Sequence, residues 1–142
     1  MTANNDPPYV ASASTEAVTF EAYRAFDGTI NYQNSWYTNS VTTGWLKIYL
    51  GTAQTACAYK ITGPNLDTLA PKDWTFEGSN NDSDWTTLDT QTDISFASFF
   101  EEKSYTFSNS TAYSYYRLNI TENNGNLYYL AVTELKIYAE AE

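Results

Sequence analysis

The chain has 142 residues, which is enough for one domain with a substantial hydrophobic core. It carries 7 basic and 17 acidic side chains, and the formal net charge of -10 repels phosphate backbones and anionic lipids, so we exclude nucleic acid as a partner and disfavour a membrane. Aromatic residues make up 17% of the chain, with 13 Tyr and 4 Trp, and this composition favours strands. We therefore predict a single all-β domain over residues 1–142.

The predicted elements follow one another at the spacing of a β-sandwich. Residues 1–15 are polar, include Pro7 and Pro8, and predict an extended lead-in along the domain edge. Residues 21–26 suggest a helical turn. Short segments of period-two alternation then recur between Gly, Asn, Asp and Pro residues, which predicts a sandwich or jelly roll. These segments are 45–50, 57–63, 73–79, 85–91, 103–107, 115–121 and 130–138.

Residues 79–84 connect two of these segments with the sequence Ser-Asn-Asn-Asp-Ser-Asp. Such residues tolerate a left-handed backbone and cap their own turn, so we predict a hairpin. Asp82 and Asp84 also suggest a metal loop, but the Gly and the distal Glu of a calcium hand are missing. We interpret the loop as a solvated turn.

The last segment, 130–138, changes its apolar face. Its apolar residues occupy even positions up to Val132 and odd positions from Leu135 onward. Because successive side chains of a strand point to opposite faces, this change predicts a β-bulge near Thr133 and Glu134. A bulge would turn Glu134 toward a specific partner; the alternative is an edge strand whose polar residue faces water.

Residues that carry catalysis are scarce. The chain has no His, and its single cysteine, Cys57, lies in an apolar segment that suits a buried small hydrophobe better than a reactive thiol. Glu101 and Glu102 are adjacent, but they follow Phe99 and Phe100 in a loop, where we expect solvated gatekeepers and no catalytic pair. We predict that the domain is not an enzyme.

Several motifs, in order and at fitting distances, resemble those of the discoidin, or coagulation-factor C-type, domain family. The match covers nearly the whole chain from about Ala22. It implies the galactose-binding-like fold, a jelly-roll β-sandwich of two antiparallel sheets. It also implies that Trp36, Trp74 and Trp85 are core or near-core residues that face the opposite sheet. The matching motifs are Ala-Phe-Asp-Gly at 25–28 followed by Trp36, then 45–51, 70–80 through Trp85, 115–118 and 132–135.

In many members of this family a calcium ion ties the first loop to the final strand. The resemblance implies the same structural Ca²⁺ here, with Asp27 and Glu134 as acidic ligands. Calcium takes about six to eight oxygen ligands from mixed sets of this kind. Asp27-Gly28 alone also fits a simple turn, but the predicted bulge at Glu134 favours the metal. The other implied ligands are the backbone carbonyls of Arg24, Thr29 and Thr133, and the side chain of Ser35 or Asn34 at a shifted spacing.

The resemblance also implies a glycan site. The family's galactose binders use a His and an Arg, and this chain has no His, so galactose specificity is not implied. They often present an aromatic residue from the loop that corresponds to 123–129, which makes Tyr128 or Tyr129 the predicted platform for the apolar face of a sugar. The alternative is that both residues pack against the rim of the sandwich. The other candidate glycan-binding residues are Tyr32, Trp45, Asn65 and Asn124.

We therefore predict a non-catalytic module that binds a glycan on a host or cell surface. The expected location is extracellular or on a virion surface, and since no signal peptide is recognisable near Met1, export would follow from a longer parent chain or from assembly into a virus particle. The alternative is a capsid-decorating or tail accessory protein that binds protein subunits, because similar domains occur in phage tail proteins. Phe96, Phe99 and Phe100 are expected to cap the sandwich or to contact such a subunit.

Overall fold

The computed structural model describes residues 1–139, which form strands, connecting loops and two short 3-10 helices. The 3-10 helices span Ala22–Phe26 and Asp67–Leu69, and the first confirms the helical turn predicted at 21–26. Within these residues, no helix is both long and apolar enough to cross a bilayer. The strands are β1 (Asn5–Asp6), β2 (Tyr9–Ala13), β3 (Trp36–Tyr37), β4 (Gly44–Gln54), β5 (Ala56–Thr62), β6 (Pro71–Ser79), β7 (Thr86–Gln91), β8 (Glu102–Thr106), β9 (Tyr113–Asn123), β10 (Ala131–Val132) and β11 (Glu134–Ala139).

The sheets confirm the predicted jelly-roll sandwich. One sheet has six strands in the order β1-β2-β4-β9-β6-β7, a second has three in the order β11-β5-β8, and β10 pairs with β3. The lead-in contributes β1 and β2, and β2 extends the large sheet by pairing with β4. Side-chain alternation separates the two faces of that sheet, because Leu46 and Ile48 of β4 are buried and Lys47 between them is not.

The core between the sheets is rich in aromatic side chains. Tyr59 stacks on Phe76 with ring centroids 4.3 Å apart. Trp74 donates a hydrogen bond from Nε1 to the Tyr59 hydroxyl (2.9 Å), which itself donates to Asp89 Oδ2 (2.6 Å). These bonds satisfy the polar atoms that the rings bring into the interior. Trp36 and Trp74 are 0% and 2% exposed, which confirms their predicted place in the core.

The predicted inward orientation of Trp85 is wrong. Its half-buried ring lies on the outer face of the six-stranded sheet, with the guanidinium carbon of Arg117 4.0 Å from the ring centroid. The pairing of β6 with β7 shifts register between Phe76 and Glu77 and passes over Leu88. The extra residue reverses the alternation of the segment before it, so Trp85 points away from the core.

The β-bulge predicted near Thr133 and Glu134 is instead a change of sheet. Val132 ends β10 and pairs with Trp36, whereas Glu134 begins β11 and pairs with Thr62. Between them, Thr133 donates its N–H to the Thr62 carbonyl (3.0 Å). Glu134 is only 2% exposed, which rules out the alternative of an edge residue that faces water. The break therefore places a carboxylate inside the domain.

The loop between β6 and β7 is the predicted turn. Asn81 Oδ1 accepts hydrogen bonds from the N–H groups of Ser83 (3.0 Å) and Asp84 (2.8 Å), and Asp82 has a φ of 59°. Asp82 Oδ1 lies 2.7 Å from Lys47 Nζ on the outer face of the large sheet. The tip is therefore attached to the sheet, and the two aspartates bond to different partners instead of sharing a cation.

Candidate functional site

Three loops meet at one end of the sandwich, and we call residues 27–35, 63–70 and 123–130 the loop end. The Asn126 N–H donates to the Thr68 carbonyl (3.1 Å), which joins the third loop to the second. Tyr37, in the strand after the first loop, donates its hydroxyl to Asn65 Oδ1 (3.3 Å). The next residue, Thr38, donates its N–H to the Leu130 carbonyl (3.0 Å). Most of the residues predicted to bind metal or glycan lie in these loops.

The first loop lies against Glu134 of β11, next to Asp27, and the calcium role of this carboxylate pair stays a prediction. Glu134 Oε2 accepts the N–H of Gly28 (2.9 Å). Asp27 accepts the N–H of Thr29 at Oδ1 (2.8 Å) and Asn34 Nδ2 at Oδ2 (2.6 Å). Burial, together with the charge of Asp27, raises the pKa of Glu134 to about 8. Ionisation of Glu134 beside Asp27 is therefore disfavoured unless a cation compensates the charge.

Two buried hydroxyl groups, those of Ser35 and Thr133, lie where the chain passes from one sheet to the other. Ser35 Oγ is 2.8 Å from Thr133 Oγ1, and it also lies 3.1 Å from the Asn31 carbonyl, to which it donates. Ser35 and Thr133 are 1% and 0% exposed. The predicted roles of Arg24, Thr29 and Thr133 concern their backbone carbonyls and stay predictions, as does the choice between Ser35 and Asn34.

The oxygens around Asp27 and Glu134 fit a hard cation such as Ca²⁺. The buried Glu134 carboxylate receives a single hydrogen bond, and among residues 1–139 no Lys or Arg forms an ion pair with it or with Asp27. No cluster of three or more His, Cys, Asp or Glu residues occurs in that range, so a cation here would take its remaining ligands from carbonyl and hydroxyl oxygens. Such mixed oxygen sets are typical of calcium sites, and the bound cation would neutralise the carboxylate pair.

Four aromatic rings form a floor beside these groups, and we call Phe20, Tyr32, Tyr37 and Tyr129 the aromatic floor. The Phe20 ring centroid is 5.3 Å from that of Tyr32 and 4.5 Å from that of Tyr37. Tyr37 also contacts Tyr129 edge to face at 6.2 Å. Tyr37 is 7% exposed, whereas Tyr32 and Tyr129 are 47% and 37% exposed, so the floor offers two rings to a ligand.

The loop 123–130 holds its tip by hydrogen bonds of its own. Asn126 Oδ1 accepts the N–H groups of Tyr128 and Tyr129, both at 2.9 Å. Asn123 Nδ2 donates to the carbonyls of Asn126 (2.9 Å) and Tyr129 (2.8 Å). Tyr128 is 66% exposed, and Tyr129 rests on Tyr37 with part of its ring free. The alternative that both tyrosines are covered by the rim is therefore wrong for Tyr128 and only partly right for Tyr129.

Two predicted glycan-binding residues serve other purposes. Trp45 lies on the outer face of the large sheet, where Lys47 Nζ is 4.7 Å from its ring centroid and covers that ring. The alternation of β4 decides this, because the neighbouring residue Leu46 is buried. Asn124 donates from Nδ2 to the carbonyls of Ala70 and Pro71, both at 3.0 Å. Its side chain fastens the loop to the sandwich, so it positions the site without facing it.

Sequence reasoning missed Phe20 and Tyr37. Tyr37 had a usable signal, since it follows the core residue Trp36 in a strand and must point to the other side. Phe20 had none, because its place depends on an isolated bridge to Ala17. Asn65 lies in the second loop of the loop end, where its Oδ1 accepts a hydrogen bond from Tyr37, and its role in glycan binding stays a prediction.

The phenylalanines of the segment before β8 divide between core and surface. Phe96 is 3% exposed and packs over Gly63, which confirms that it caps the sandwich. Phe100 is half-buried, and its N–H donates to the Pro64 carbonyl (3.3 Å). Phe99 is 71% exposed beside the loop end.

The remaining reactive side chains have separate local partners. Glu101 accepts the Ala97 N–H at Oε1 (2.6 Å) and pairs with Lys103 at Oε2 (3.1 Å). Glu102 lies 3.7 Å from Lys60 on the small sheet. Cys57 is half-buried, not fully buried as expected. The two glutamates therefore point to different neighbours.

Comparison with known proteins agrees with this architecture. A family model described as the F5/8 type C domain matches residues 10–135. No curated protein matches the chain. Among solved structures, chitosan-binding module 1 of a chitosanase/glucanase from Paenibacillus sp. IK-5 is 27% identical with a TM-score of 0.74, over 92% of this chain and 94% of that chain.

Two further solved structures share the fold at lower identity. The family 32 carbohydrate-binding module of NanJ from C. perfringens, in complex with galactose, is 20% identical with a TM-score of 0.73, over 91% of this chain and 92% of that one. A fucose binding module of Streptococcus pneumoniae is 16% identical with a TM-score of 0.73, over 92% and 90%. The family match covers most of the chain and includes both the loop that carries Asp27 and the start of the strand that carries Glu134. This chain therefore belongs to the F5/8 type C, or discoidin, domain family.

Proposed function

We propose that this domain is a non-catalytic glycan-binding module and that its sugar site is the loop end. The observation that carries the proposal is the exposure of Tyr32, Tyr128 and Tyr129 (47%, 66% and 37%) on hydrogen-bonded loops. Tyrosine rings supply contact area for the apolar face of a sugar and lose little conformational freedom. The similar modules that bind chitosan, galactose or fucose support the proposal.

The site is open, so a single copy binds weakly. We expect an affinity of roughly micromolar to millimolar for one site, with a large gain when several copies are displayed together. Weak single sites bind usefully only where many copies of the domain meet many copies of the glycan. We therefore infer a host or cell glycan as the partner and an extracellular or virion surface as the location.

A glycan array probed with clustered protein tests the proposal. The array includes glucosamine oligomers and galactose- and fucose-terminated glycans. We expect signals that fall at least about tenfold in Tyr32→Ala and Tyr129→Ala, since a lost stacking contact is worth about 1.4 kcal/mol. Tyr138→Ala is the matched control, because Tyr138 is 40% exposed on the small sheet, away from the loop end. An array without signal for folded wild-type protein contradicts the proposal.

We further propose that Ca²⁺ binds between Asp27 and Glu134 and has a structural role. The two residues belong to the first loop and to β11, so a shared cation would hold the loop end against the small sheet. The metal supplies charge neutralisation and oxygen coordination when it is bound. The chain's own residues shape the sugar site.

A second candidate function is attachment to protein subunits, as in a capsid-decorating or tail accessory protein. It is favoured by exposed apolar side chains near the loop end, where Leu66, Phe99 and Leu127 are 43%, 71% and 80% exposed. Binding to virus particles that is lost in Phe99→Ser but kept in Tyr129→Ala would support this candidate over the glycan.

A further inference from the structure

A polar pocket adjoins the aromatic floor. It has a volume of about 250 Å³ and is lined by Thr19, Phe20, Arg24 and Gln33. Phe20 belongs to both features, because its ring lies against Tyr32 at 5.3 Å. A ligand that rests on Tyr32 is therefore next to the pocket.

The pocket combines hydrogen-bond donors with acceptors. Arg24 donates from Nε to Glu21 Oε2 (2.6 Å) and from Nη1 to the Gln33 carbonyl (3.3 Å). A guanidinium has five N–H groups, so these two bonds use only part of its donor capacity. The side chains of Arg24 and Glu21 are 22% and 35% exposed, which leaves both within reach of a ligand. Adjacent donor and acceptor groups of this kind suit neighbouring hydroxyls on a sugar ring.

The charge of the pocket is balanced. Partial burial raises the pKa of Glu21, but the hydrogen bond from Arg24, the hydrogen bond to the residue's own backbone and the charge of Arg24 together lower it by more, so the pKa lies below its ordinary value and the carboxylate stays ionised. The Arg24–Glu21 pair is therefore formally neutral at pH 7. With a net charge of -10 on the whole chain, the pocket favours an uncharged sugar over an acidic one.

One wall of the pocket is a tight turn held in an unfavourable backbone conformation. Thr19 has a φ of 67°, which is rare for a β-branched residue. The turn is fixed by hydrogen bonds from the Phe20 N–H to the Ala17 carbonyl (3.0 Å) and from the Ala17 N–H to the Tyr37 carbonyl (2.9 Å). The Tyr37 N–H in turn donates to the Phe20 carbonyl (3.3 Å). Backbone conformations of this kind cluster at binding sites, and this one is attached to the aromatic floor.

We propose that the pocket is a second sugar subsite, in which Arg24 and Glu21 bind hydroxyls of the residue next to the one that stacks on Tyr32. The site then recognises a neutral oligosaccharide of at least two residues and prefers it to a single sugar. This inference depends on the proposed glycan-binding function and adds the length and charge of the ligand.

Calorimetry with matched short and long sugars tests the inference. The probes are galactose and lactose, and N-acetylglucosamine and its β-1,4-linked dimer, with a uronate dimer as the acidic comparison. For at least one pair we expect wild-type protein to bind the disaccharide about tenfold more tightly than the monosaccharide, which corresponds to about 1.4 kcal/mol. Arg24→Gln should remove this preference, so that the disaccharide binds no more tightly than the monosaccharide.

Two further variants separate recognition from folding. Thr19→Gly removes a pocket hydroxyl while glycine accepts the positive φ, so this variant should melt no lower than wild type and still lose part of the preference. Lys60→Gln is the charge-matched control on the small sheet and should keep the preference.

Each other result contradicts the second subsite. The second subsite is contradicted if mono- and disaccharide bind with equal affinity, or if the preference persists in folded Arg24→Gln. The proposed glycan-binding function still stands in that case, provided that array signals are lost in Tyr129→Ala. If the uronate dimer binds more tightly than the neutral disaccharides, the inference that the ligand is neutral is wrong. Failure to bind any of the four neutral probes overturns the inference, and the array then decides on glycan binding by itself.

Discussion

The buried Glu134 should make the stability of the metal-free domain fall as pH rises. Its pKa is raised from 4.5 to about 8 by burial and by Asp27. Between these values the folded state holds a proton that the unfolded state has released, so the free energy of unfolding decreases with pH and the full loss is present above pH 8. Since one pKa unit is worth about 1.4 kcal/mol, a shift from 4.5 to about 8 makes the loss on the order of 5 kcal/mol.

Calcium should offset part of this loss, because it binds the ionised carboxylate. At a free concentration of about one hundred times its Kd, a ligand selective for the folded state stabilises by about 2.7 kcal/mol. For a domain of this size, about 1 kcal/mol moves the Tm by roughly 3 °C. We therefore expect calcium to raise the Tm by roughly 8 °C at pH 8.5 and by far less at pH 5, where Glu134 is protonated in the folded state.

The assay is thermal unfolding of metal-free protein at pH 5 and pH 8.5, with and without calcium. Glu134→Gln keeps an acceptor for the Gly28 N–H and removes the charge, so this variant should lose both the calcium response and the excess pH dependence. Glu102→Gln, which changes an exposed carboxylate, is the control and should behave like wild type. A metal-free wild-type protein that melts alike with and without calcium at pH 8.5 would refute the calcium site, and equal pH dependence in Glu134→Gln would refute the role of this carboxylate.

Four other substitutions test the packing and the attachment of the loop 123–130. Trp74→Ala should lower the free energy of unfolding by about 3–5 kcal/mol and Trp85→Ala by about 1 kcal/mol, because only the first ring fills the core; equal denaturant midpoints for the two variants would contradict the fold. Gly63→Ala should cost about 1–3 kcal/mol, since its Cβ would lie 2.6 Å from the buried Phe96 ring, and an unchanged midpoint would show that the ring moves aside. Asn124→Ala should lower the Tm and weaken sugar binding together by removing two hydrogen bonds to backbone carbonyls; weaker binding at an unchanged Tm would instead mean direct sugar contact.

The large features of the fold could be predicted because they depend on local alternation. The change of parity between Val132 and Leu135 gave the right position for an irregularity, but we interpreted it as a bulge, whereas the chain leaves one sheet for another there. The same rule failed for Trp85, since the register shift at Leu88 leaves no mark in an alternating polar sequence. An irregularity in a strand with a clear apolar face is visible from sequence, and one in a strand without such a face is not.

The site was predictable to the extent that family motifs fix backbone positions. The motifs indicated that Asp27 and Glu134 lie near each other and that the loop 123–129 exposes tyrosines, whereas the binding roles of these residues stay predictions. The direction of an individual side chain depends on its hydrogen-bond partners, which is why Asn124 was predicted to face the ligand and instead binds the Ala70 and Pro71 carbonyls. Phe20 joined the site through tertiary contacts alone.

The internal hydrogen bonds of the loop 123–130 separate the shape of that loop from the identity of its tip. Asn123 and Asn126 bond to backbone groups, and nothing in this pattern requires a particular side chain at Leu127 or Tyr128. Both tip residues are more than half exposed, at 80% and 66%. Substitutions at these two positions can therefore change which ligand the loop prefers with little effect on the stability of the fold. Leu127 and Tyr128 are the positions to randomise in a library selected for altered recognition.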